Sequence, residues 1–145
     1  DRLEALISEI LVLARVDADN ASAEDVDLNA LLNTLQKDAQ LGSPEQNVRL
    51  DAEPQLNLKG WPTMIERALD NLLRNAQRFN PVGQSIEMQA VRQGERIVVS
   101  VRDHGPGVDA EHLSHGGSLV LANHPDGGFI ASLELPLVPG AVVQP

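Results

Sequence analysis

Two neighbouring stretches of the chain have different hydrophobic periods, and together they limit the fold to a mixture of helices and strands. Over residues 62–79, apolar residues recur with the period of a helix, and Pro62 suits its first turn. Apolar and polar residues alternate over 85–91 and 96–103, which predicts two strands joined by a tight turn at Gln93–Gly94. We therefore expect an α+β fold, a two-layer sandwich of a mixed β-sheet with helices on one face.

The rest of the chain divides into further elements and four regions. A helix with an apolar stripe is predicted at the start, where it must pack on the domain or on a partner helix. Further predicted elements are a short strand at 26–28, a helix at 29–41, a strand at 47–52 and a hairpin of 118–123 with 127–137. The regions are a helix at 1–17, an acidic linker at 18–25, a domain at 26–137 and a loose tail at 138–145.

Composition excludes several classes of function. The net charge of −10 opposes long-range attraction to nucleic acid or to an anionic membrane surface. The absence of cysteine excludes disulfides and thiolate metal sites. With one Trp, two Phe and no Tyr, aliphatic side chains must build the core. The chain opens on Asp1 without a methionine, and we expect it to be part of a longer protein.

Asp103 stands at a position where a carboxylate is unexpected. It ends the strand predicted at 96–103 and shares its face with the apolar residues Ile97, Val99 and Val101. An inward carboxylate is costly unless it is partnered, and Gly105 and Gly107 follow at once. Either Asp103 caps a turn by accepting N–H groups of its own loop, or it binds a ligand that the glycines allow to approach.

The helix predicted at 62–79 carries a second, polar stripe. Its core stripe is Ile65, Leu69, Leu72 and Ala76. Beside it, Asn71, Asn75 and Arg78 are spaced i, i+4 and i+7, although each Asn costs up to ~0.7 kcal/mol relative to Ala in a helix. This stripe is either a solvated helix face or a set of contacts to a metal or a phosphate.

The two stretches together resemble a known family. "DNLLRNAQRFNP" followed by "VRDHGPGVD" resembles the N box and G1 box of sensor histidine kinases, which share an ATP-binding superfamily with Hsp90, gyrase B and MutL. "RLEALISEILVLARVDA" resembles the end of the second helix of their dimerisation domain, and "VDLNALLNTL" the start of their catalytic domain. "HGGSLVLANHPDGGFIASLELPL" resembles the closing hairpin, so the likeness extends to Leu137.

The resemblance implies an adenine pocket around Asp103. Asp103 would accept the exocyclic amine of adenine. Gly105 and Gly107 would let the backbone pass close to the base, and Phe79 would lie near it.

The resemblance also implies a phosphate and metal site on the helix. Asn75 would ligate the Mg²⁺ that bridges the phosphates of ATP, and Arg78 would contact phosphate. Asn71 stands where hydrolytic members carry a glutamate that activates water. An amide cannot act as that base, which favours transfer to a protein side chain.

The implied function is transfer of the ATP γ-phosphoryl group to a histidine on a separate domain. The implied partners are the kinase's own dimerisation and phosphoacceptor domain, a cognate response regulator and, in the full-length protein, a second copy. The implied location is the cytoplasmic part of a bacterial kinase anchored in the inner membrane. The alternative is a non-catalytic nucleotide-binding or protein-interaction module on the same fold.

The chain departs from the family pattern at three places. The phosphoacceptor histidine of the family precedes the residues matched here, so we expect this fragment to be inactive alone. The four histidines present, His104, His112, His115 and His124, lie in predicted loops and are interpreted as surface residues. Trp61 replaces an aspartate that usually precedes the N-box helix, which argues against a side-chain cap there.

The third departure is the Ser114–His115 junction, where the family's F box, mobile ATP lid, second Gly-rich box and long helix are missing. The junction is either a deletion or a segment left out of the numbering. We favour the second interpretation, because loss of a core helix would expose much of one sheet face.

Overall fold

The elements follow the periodicity of the sequence closely. The computed structural model describes residues 23–108 and 119–138. In chain order the elements are β1 (Glu24–Asp27), α1 (Leu28–Gly42), β2 (Val48–Ala52), β3 (Asn57–Gly60), α2 (Pro62–Phe79), β4 (Ile86–Gln93), β5 (Arg96–Asp103), β6 (Leu119–Asn123) and β7 (Phe129–Pro136). Neither of these two helices is both long and apolar enough to cross a membrane.

Five strands form one mixed sheet in the order β2-β4-β5-β7-β6. β2 pairs with β4 in parallel, and the remaining pairs are antiparallel. β1 and β3 form a separate two-stranded antiparallel sheet. α1 contacts β2 and α2 contacts β5, so the helices form a layer against the sheet and the predicted α+β sandwich is confirmed.

The core is aliphatic, as the composition predicts. All four residues of the predicted stripe on α2 are buried, and Ala68 and Leu73 of the same helix join them. Phe129 is the one aromatic side chain among the fully buried residues of the described ranges. Burying each large apolar side chain stabilises the fold by about 1.5–3 kcal/mol, so this helix is held chiefly by its inner face.

The ends of α2 have identifiable causes. Pro62 occupies the first turn, where its missing N–H is not needed, and Trp61 provides no side-chain cap, as predicted. At the other end, the N–H of Asn80 donates to the carbonyl of Ala76 at 2.9 Å, and Pro81 follows. A proline disfavours helical backbone in the residue before it, so α2 ends at Phe79.

Side-chain amides join the carboxyl ends of the two helices. Four glutamines lie in this region: Gln36, Gln40, Gln46 and Gln77. The Nε2 of Gln77 donates to the carbonyl of Ala39 at 3.1 Å. The Nε2 of Gln46, a buried residue, donates to the carbonyls of Gln77 at 3.1 Å and Asn80 at 3.2 Å. These bonds satisfy helix-end carbonyls and fix α1 against α2.

Three details of the sequence prediction were wrong. The strand predicted at 26–28 ends at Asp27, whose side chain accepts the N–H of Ala30 at 3.1 Å and so starts α1 one residue earlier. The tight turn follows Gln93 and lies at Gly94 and Glu95. β3 was not predicted at all. The predictions for 1–22, 109–118 and 139–145, including the Ser114–His115 junction and the region bounds there, lie outside the described residues.

The helix-side face of the sheet is covered at the β6 end too. The register aligns Leu121 with Ala131, and Ala131 with Val101, in one row across three strands. Leu121 is 0% exposed, and Leu119 beside it on β6 is 6% exposed. Leu119 and Leu121 are therefore buried on this face of the sheet.

Candidate functional site

Asp103 lies at the end of β5 with its side chain turned into the core. It is 1% exposed and shares its face with Val101, as the alternation predicted. Its Oδ1 accepts the N–H of Gly105 at 2.8 Å, so the turn-capping interpretation is correct for one of its interactions. A carboxylate has roughly four lone-pair positions, so one side chain can accept both a capping N–H and an amine of a ligand.

The two glycines after Asp103 are required by packing within the protein. A Cβ on Gly105 would collide with the carbonyl oxygen of Phe79, the last residue of α2. A Cβ on Gly107 would collide with the side-chain amide of Asn123 at the end of β6. We call residues 103–108 the Asp103 turn. Its glycines let it lie directly against α2 on one side and β6 on the other.

Two asparagines that the sequence analysis missed hold the Asp103 turn in place. The Oδ1 of Asn80 accepts the N–H of His104 at 2.8 Å. Asn123 bonds both backbone groups of Val108, through Oδ1 at 3.0 Å and Nδ2 at 2.8 Å. Each of the two follows or ends a regular element, where short amides commonly bond nearby backbone, and that position was the available signal.

The predicted polar residues of α2 lead along the helix towards the Asp103 turn. Asn71, Asn75 and Phe79 are spaced i, i+4 and i+8, so they form one row on the helix surface. All three are half-buried, which is less exposed than a fully solvated face. The structure brings the Asp103 turn to Phe79 through the contact of Gly105 with the Phe79 carbonyl, and the two asparagines precede Phe79 by one and two turns.

Arg78 stands beside this row and is exposed. Its guanidinium carbon lies 5.3 Å from the centroid of the Phe79 ring, which is a cation–π distance. The cation and the ring thus occupy the same end of α2. Such a guanidinium can pair with an anionic group while it stays stacked on the aromatic ring.

The described residues contain no group of three His, Cys, Asp or Glu side chains that could hold a metal ion. The two described histidines bond backbone groups: His104 Nδ1 lies 2.9 Å from the Ser85 carbonyl, in the loop that follows α2, and His124 Nδ1 accepts from the N–H of Asp126, in its own loop, at 3.0 Å. A metal at this site would need neutral oxygen ligands. The amides of Asn71 and Asn75 supply such oxygens, and Mg²⁺ commonly takes few protein ligands beside phosphate oxygens.

Comparisons with known proteins agree with this geometry. Residues 60–115 match the family model described as histidine kinase-, DNA gyrase B-, and HSP90-like ATPase. The phosphate regulon sensor protein PhoR of Pseudomonas aeruginosa is 34% identical over 116 residues, which cover 77% of this chain and 26% of that protein. The cytoplasmic segment of histidine kinase QseC has 25% identity and a TM-score of 0.65, with 93% of each chain covered.

A more distant structure has the same fold. The catalytic domain of histidine kinase ThkA has a TM-score of 0.74 at 18% identity and covers 82% of this chain and 99% of that one. ThkA has also been solved in complex with the response regulator protein TrrA.

The fold and the matched residues define the class: residues 60–115 match the histidine kinase-, DNA gyrase B- and HSP90-like ATPases, and the described fold is that of a histidine kinase catalytic domain. The matched residues include both α2 and the Asp103 turn. Within that class the chain is similar to sensor histidine kinases: PhoR is a sensor protein, and the two solved neighbours are a catalytic domain and a cytoplasmic segment of histidine kinases. The chain spans about a quarter of the length of the curated relatives it matches.

Proposed function

We propose that this domain binds ATP with Mg²⁺ and supplies the γ-phosphoryl group to a histidine on a separate domain, as the catalytic part of a sensor histidine kinase. The observation that carries the proposal is the position of Asp103. A carboxylate that is 1% exposed bonds the N–H of Gly105, which lies against the last residue of the helix that carries Asn71 and Asn75. A buried acceptor beside a row of amides suits a base at one end and phosphates at the other.

The adenine end is assigned to Asp103, with Gly105, Gly107 and Phe79 around it. The carboxylate accepts the exocyclic amine of adenine, which is a charge-assisted hydrogen bond worth about 1.5–3 kcal/mol. Guanine presents a carbonyl oxygen at the corresponding position. That oxygen is a hydrogen-bond acceptor and would face the Asp103 carboxylate, which is also an acceptor. The pocket therefore selects adenine over guanine nucleotides.

The phosphate end is assigned to Asn71, Asn75 and Arg78. The Asn75 amide oxygen would hold Mg²⁺, which would supply positive charge to neutralise the phosphates. Arg78, exposed beside Phe79, pairs with phosphate. Asn71 has no basic group that could activate water, which favours transfer of the phosphoryl group over hydrolysis.

The partners and location follow from the same proposal. The acceptor histidine lies on the kinase's own dimerisation domain, and the phosphoryl group passes on to a response regulator. The complex of ThkA with TrrA supports the second partner, and the cytoplasmic segment of QseC supports a cytoplasmic position. The membrane anchor and the homodimeric full-length kinase are part of the same proposal. The net charge of −10 argues against nucleic acid as a partner.

A second candidate function is a non-catalytic nucleotide-binding or interaction module. It is favoured if the Ser114–His115 junction is a true deletion, because only residues 109–118 then connect the Asp103 turn to β6. That length leaves no room for a lid with a second Gly-rich box and a helix. A module of this kind would bind the nucleotide and not transfer phosphate.

One titration and one transfer assay separate these possibilities. Calorimetry with Mg–ATP should give a binding isotherm for the wild type and a 10-fold or greater loss for Asp103→Ala, as expected for roughly 1.5–3 kcal/mol. Asp51→Asn removes an exposed carboxylate on β2 and is the control, with unchanged affinity expected. Equal ATP affinity in wild type and Asp103→Ala would refute the adenine assignment. Phosphate transfer to an added phosphoacceptor domain distinguishes the kinase from the non-catalytic module.

A further inference from the structure

Asn80 connects the two ends of the candidate site. It follows the last residue of α2 and is 6% exposed. Its Oδ1 accepts the His104 N–H at 2.8 Å, and its Nδ2 donates to the Gln84 carbonyl at 2.8 Å. One side of the amide thus holds the Asp103 turn, and the other holds the loop at 81–85 that follows α2.

We propose that Asn80 is a positioning residue for nucleotide binding, which holds the Asp103 carboxylate at a fixed place relative to Phe79 at the end of α2. The inference rests on the proposed function, because it assigns Asp103 to adenine. It goes beyond that function because Asn80 is not among the residues assigned to contact the nucleotide. Its effect passes through the backbone of His104, the residue between Asp103 and Gly105.

The contact of Gly105 with α2 does not by itself hold the Asp103 turn in place. Gly105 lies against the Phe79 carbonyl, and this contact limits how closely the two segments can approach. A van der Waals contact does not stop the turn from moving away. The hydrogen bond from His104 to Asn80 opposes that movement, and Asp103 follows because its carboxylate is bonded to Gly105 within the same turn.

The loop at 81–85 strengthens the same arrangement. The His104 ring bonds the Ser85 carbonyl through Nδ1 at 2.9 Å, while Asn80 bonds the carbonyl of Gln84. The end of α2, this loop and the Asp103 turn are therefore connected in a closed set of bonds. Removing the Asn80 amide breaks two of them at once and leaves the N–H of His104 without its acceptor.

Gln46 provides a matched control. It is also 6% exposed, and its Nε2 donates to the backbone carbonyls of Asn80 and Gln77. Gln46→Ala therefore removes hydrogen bonds of the same kind at the same end of α2, but none that reaches the Asp103 turn. A purely structural role for Asn80 predicts that both substitutions act alike.

The experiment compares Asn80→Ala, Asn80→Asp and Gln46→Ala in the full 145-residue chain. Circular dichroism gives each melting midpoint, and calorimetry with Mg–ATP and Mg–ADP is run well below the lowest of them. We expect both alanine variants to melt earlier, and Asn80→Ala alone to bind ATP and ADP about 10-fold more weakly. Asn80→Asp keeps the oxygen that accepts from His104, so its affinity should lie between those of Asn80→Ala and the wild type.

Two results would overturn the inference. One is wild-type affinity in Asn80→Ala, and the other is an equal loss of affinity in Asn80→Ala and Gln46→Ala. A wild type that binds no ATP overturns the proposed function and this inference together. ATP binding by the wild type with an unaffected Asn80→Ala overturns this inference alone, so the two failures are distinguishable.

Discussion

Gly128 lies so close to the backbone carbonyl of Asp103 that a Cβ on Gly128 would collide with the carbonyl oxygen. The contact arises from register, because Asp103 pairs with Phe129 where β5 meets β7. Gly128 also has a φ of +107°, in the left-handed region that favours glycine. The Asp103 turn is thus bounded by backbone on two sides, at Phe79 of α2 and at Gly128 before β7.

Gly128→Ala should destabilise the domain more than Gly127→Ala. Both glycines have positive φ, +107° and +94°, so each substitution carries a backbone strain of about 1–2 kcal/mol. A Cβ on Gly127 meets nothing within 4 Å, whereas one on Gly128 meets backbone that cannot rotate away. Urea unfolding should show the larger loss for Gly128→Ala by roughly 1–3 kcal/mol. Equal losses would contradict the proposed packing of Gly128 on Asp103.

Gly105→Ala should impair nucleotide binding more than Gly107→Ala. The added methyl group at position 105 meets the carbonyl of Phe79, while at position 107 it meets the side chain of Asn123, which can turn aside at the cost of its bonds to Val108. Calorimetry with Mg–ATP should therefore show the greater loss for Gly105→Ala. Gly42→Ala, where a Cβ meets nothing within 4 Å, serves as the neutral substitution.

Asn75→Ala should abolish phosphate transfer with little change in stability. Asn75 is half-buried and belongs to the row that leads to Phe79, so its loss removes the assigned Mg²⁺ ligand but little apolar contact. The assay uses the domain with an added phosphoacceptor domain and a range of Mg²⁺ and Mn²⁺ concentrations. Asn75→Asp should alter the metal dependence. Asn33→Ala, at an exposed helical asparagine of α1, should leave transfer unchanged.

Full activity of Asn75→Ala would exclude a metal role for this residue. A variant that fails to transfer but also melts far below the wild type would point to a structural role for Asn75. Melting curves recorded on the same preparations separate these outcomes.

The ion pair between Arg96 and Glu134 should contribute little to stability. The Arg96 Nη1 lies 2.9 Å from the Glu134 Oε1, across β5 and β7, and the two side chains are 37% and 18% exposed. A pair this open to solvent contributes at most about 1 kcal/mol. A double-mutant cycle with Arg96→Ala and Glu134→Ala should give a coupling energy within that limit, and added salt should reduce it. A coupling of several kcal/mol would show that the pair is effectively shielded from water.

The sequence predicts those features whose signal is local. α2 has its predicted bounds because Pro62 and the Asn80–Pro81 pair mark its two ends. The inward direction of Asp103 follows from strand alternation alone. β3 escaped prediction because it has only four residues, and its pairing with β1 joins segments far apart in the chain.

The features that could not be predicted depend on distant partners. Asn80 bonds His104 across 24 positions and Asn123 bonds Val108 across 15. Gly105 and Gly128 are glycines because of backbone that meets them only in the folded domain. No short window of sequence contains both members of such a pair. Hydrophobic periodicity therefore cannot identify the residues that hold the Asp103 turn.

The two hydrogen bonds between Asn123 and Val108 affect how freely the following segment can vary in length. It fastens the chain to the end of β6 at the point where residues 109–118 begin, and β6 itself fixes the point where they end. The entropy of closing a flexible loop grows only with the logarithm of its length, about 0.6 kcal/mol for each doubling. A much longer connection could thus be spliced in at this site for a modest entropic penalty. The geometry around Asp103 would stay the same. The length of this segment and the recognition of the base could therefore change independently among related chains.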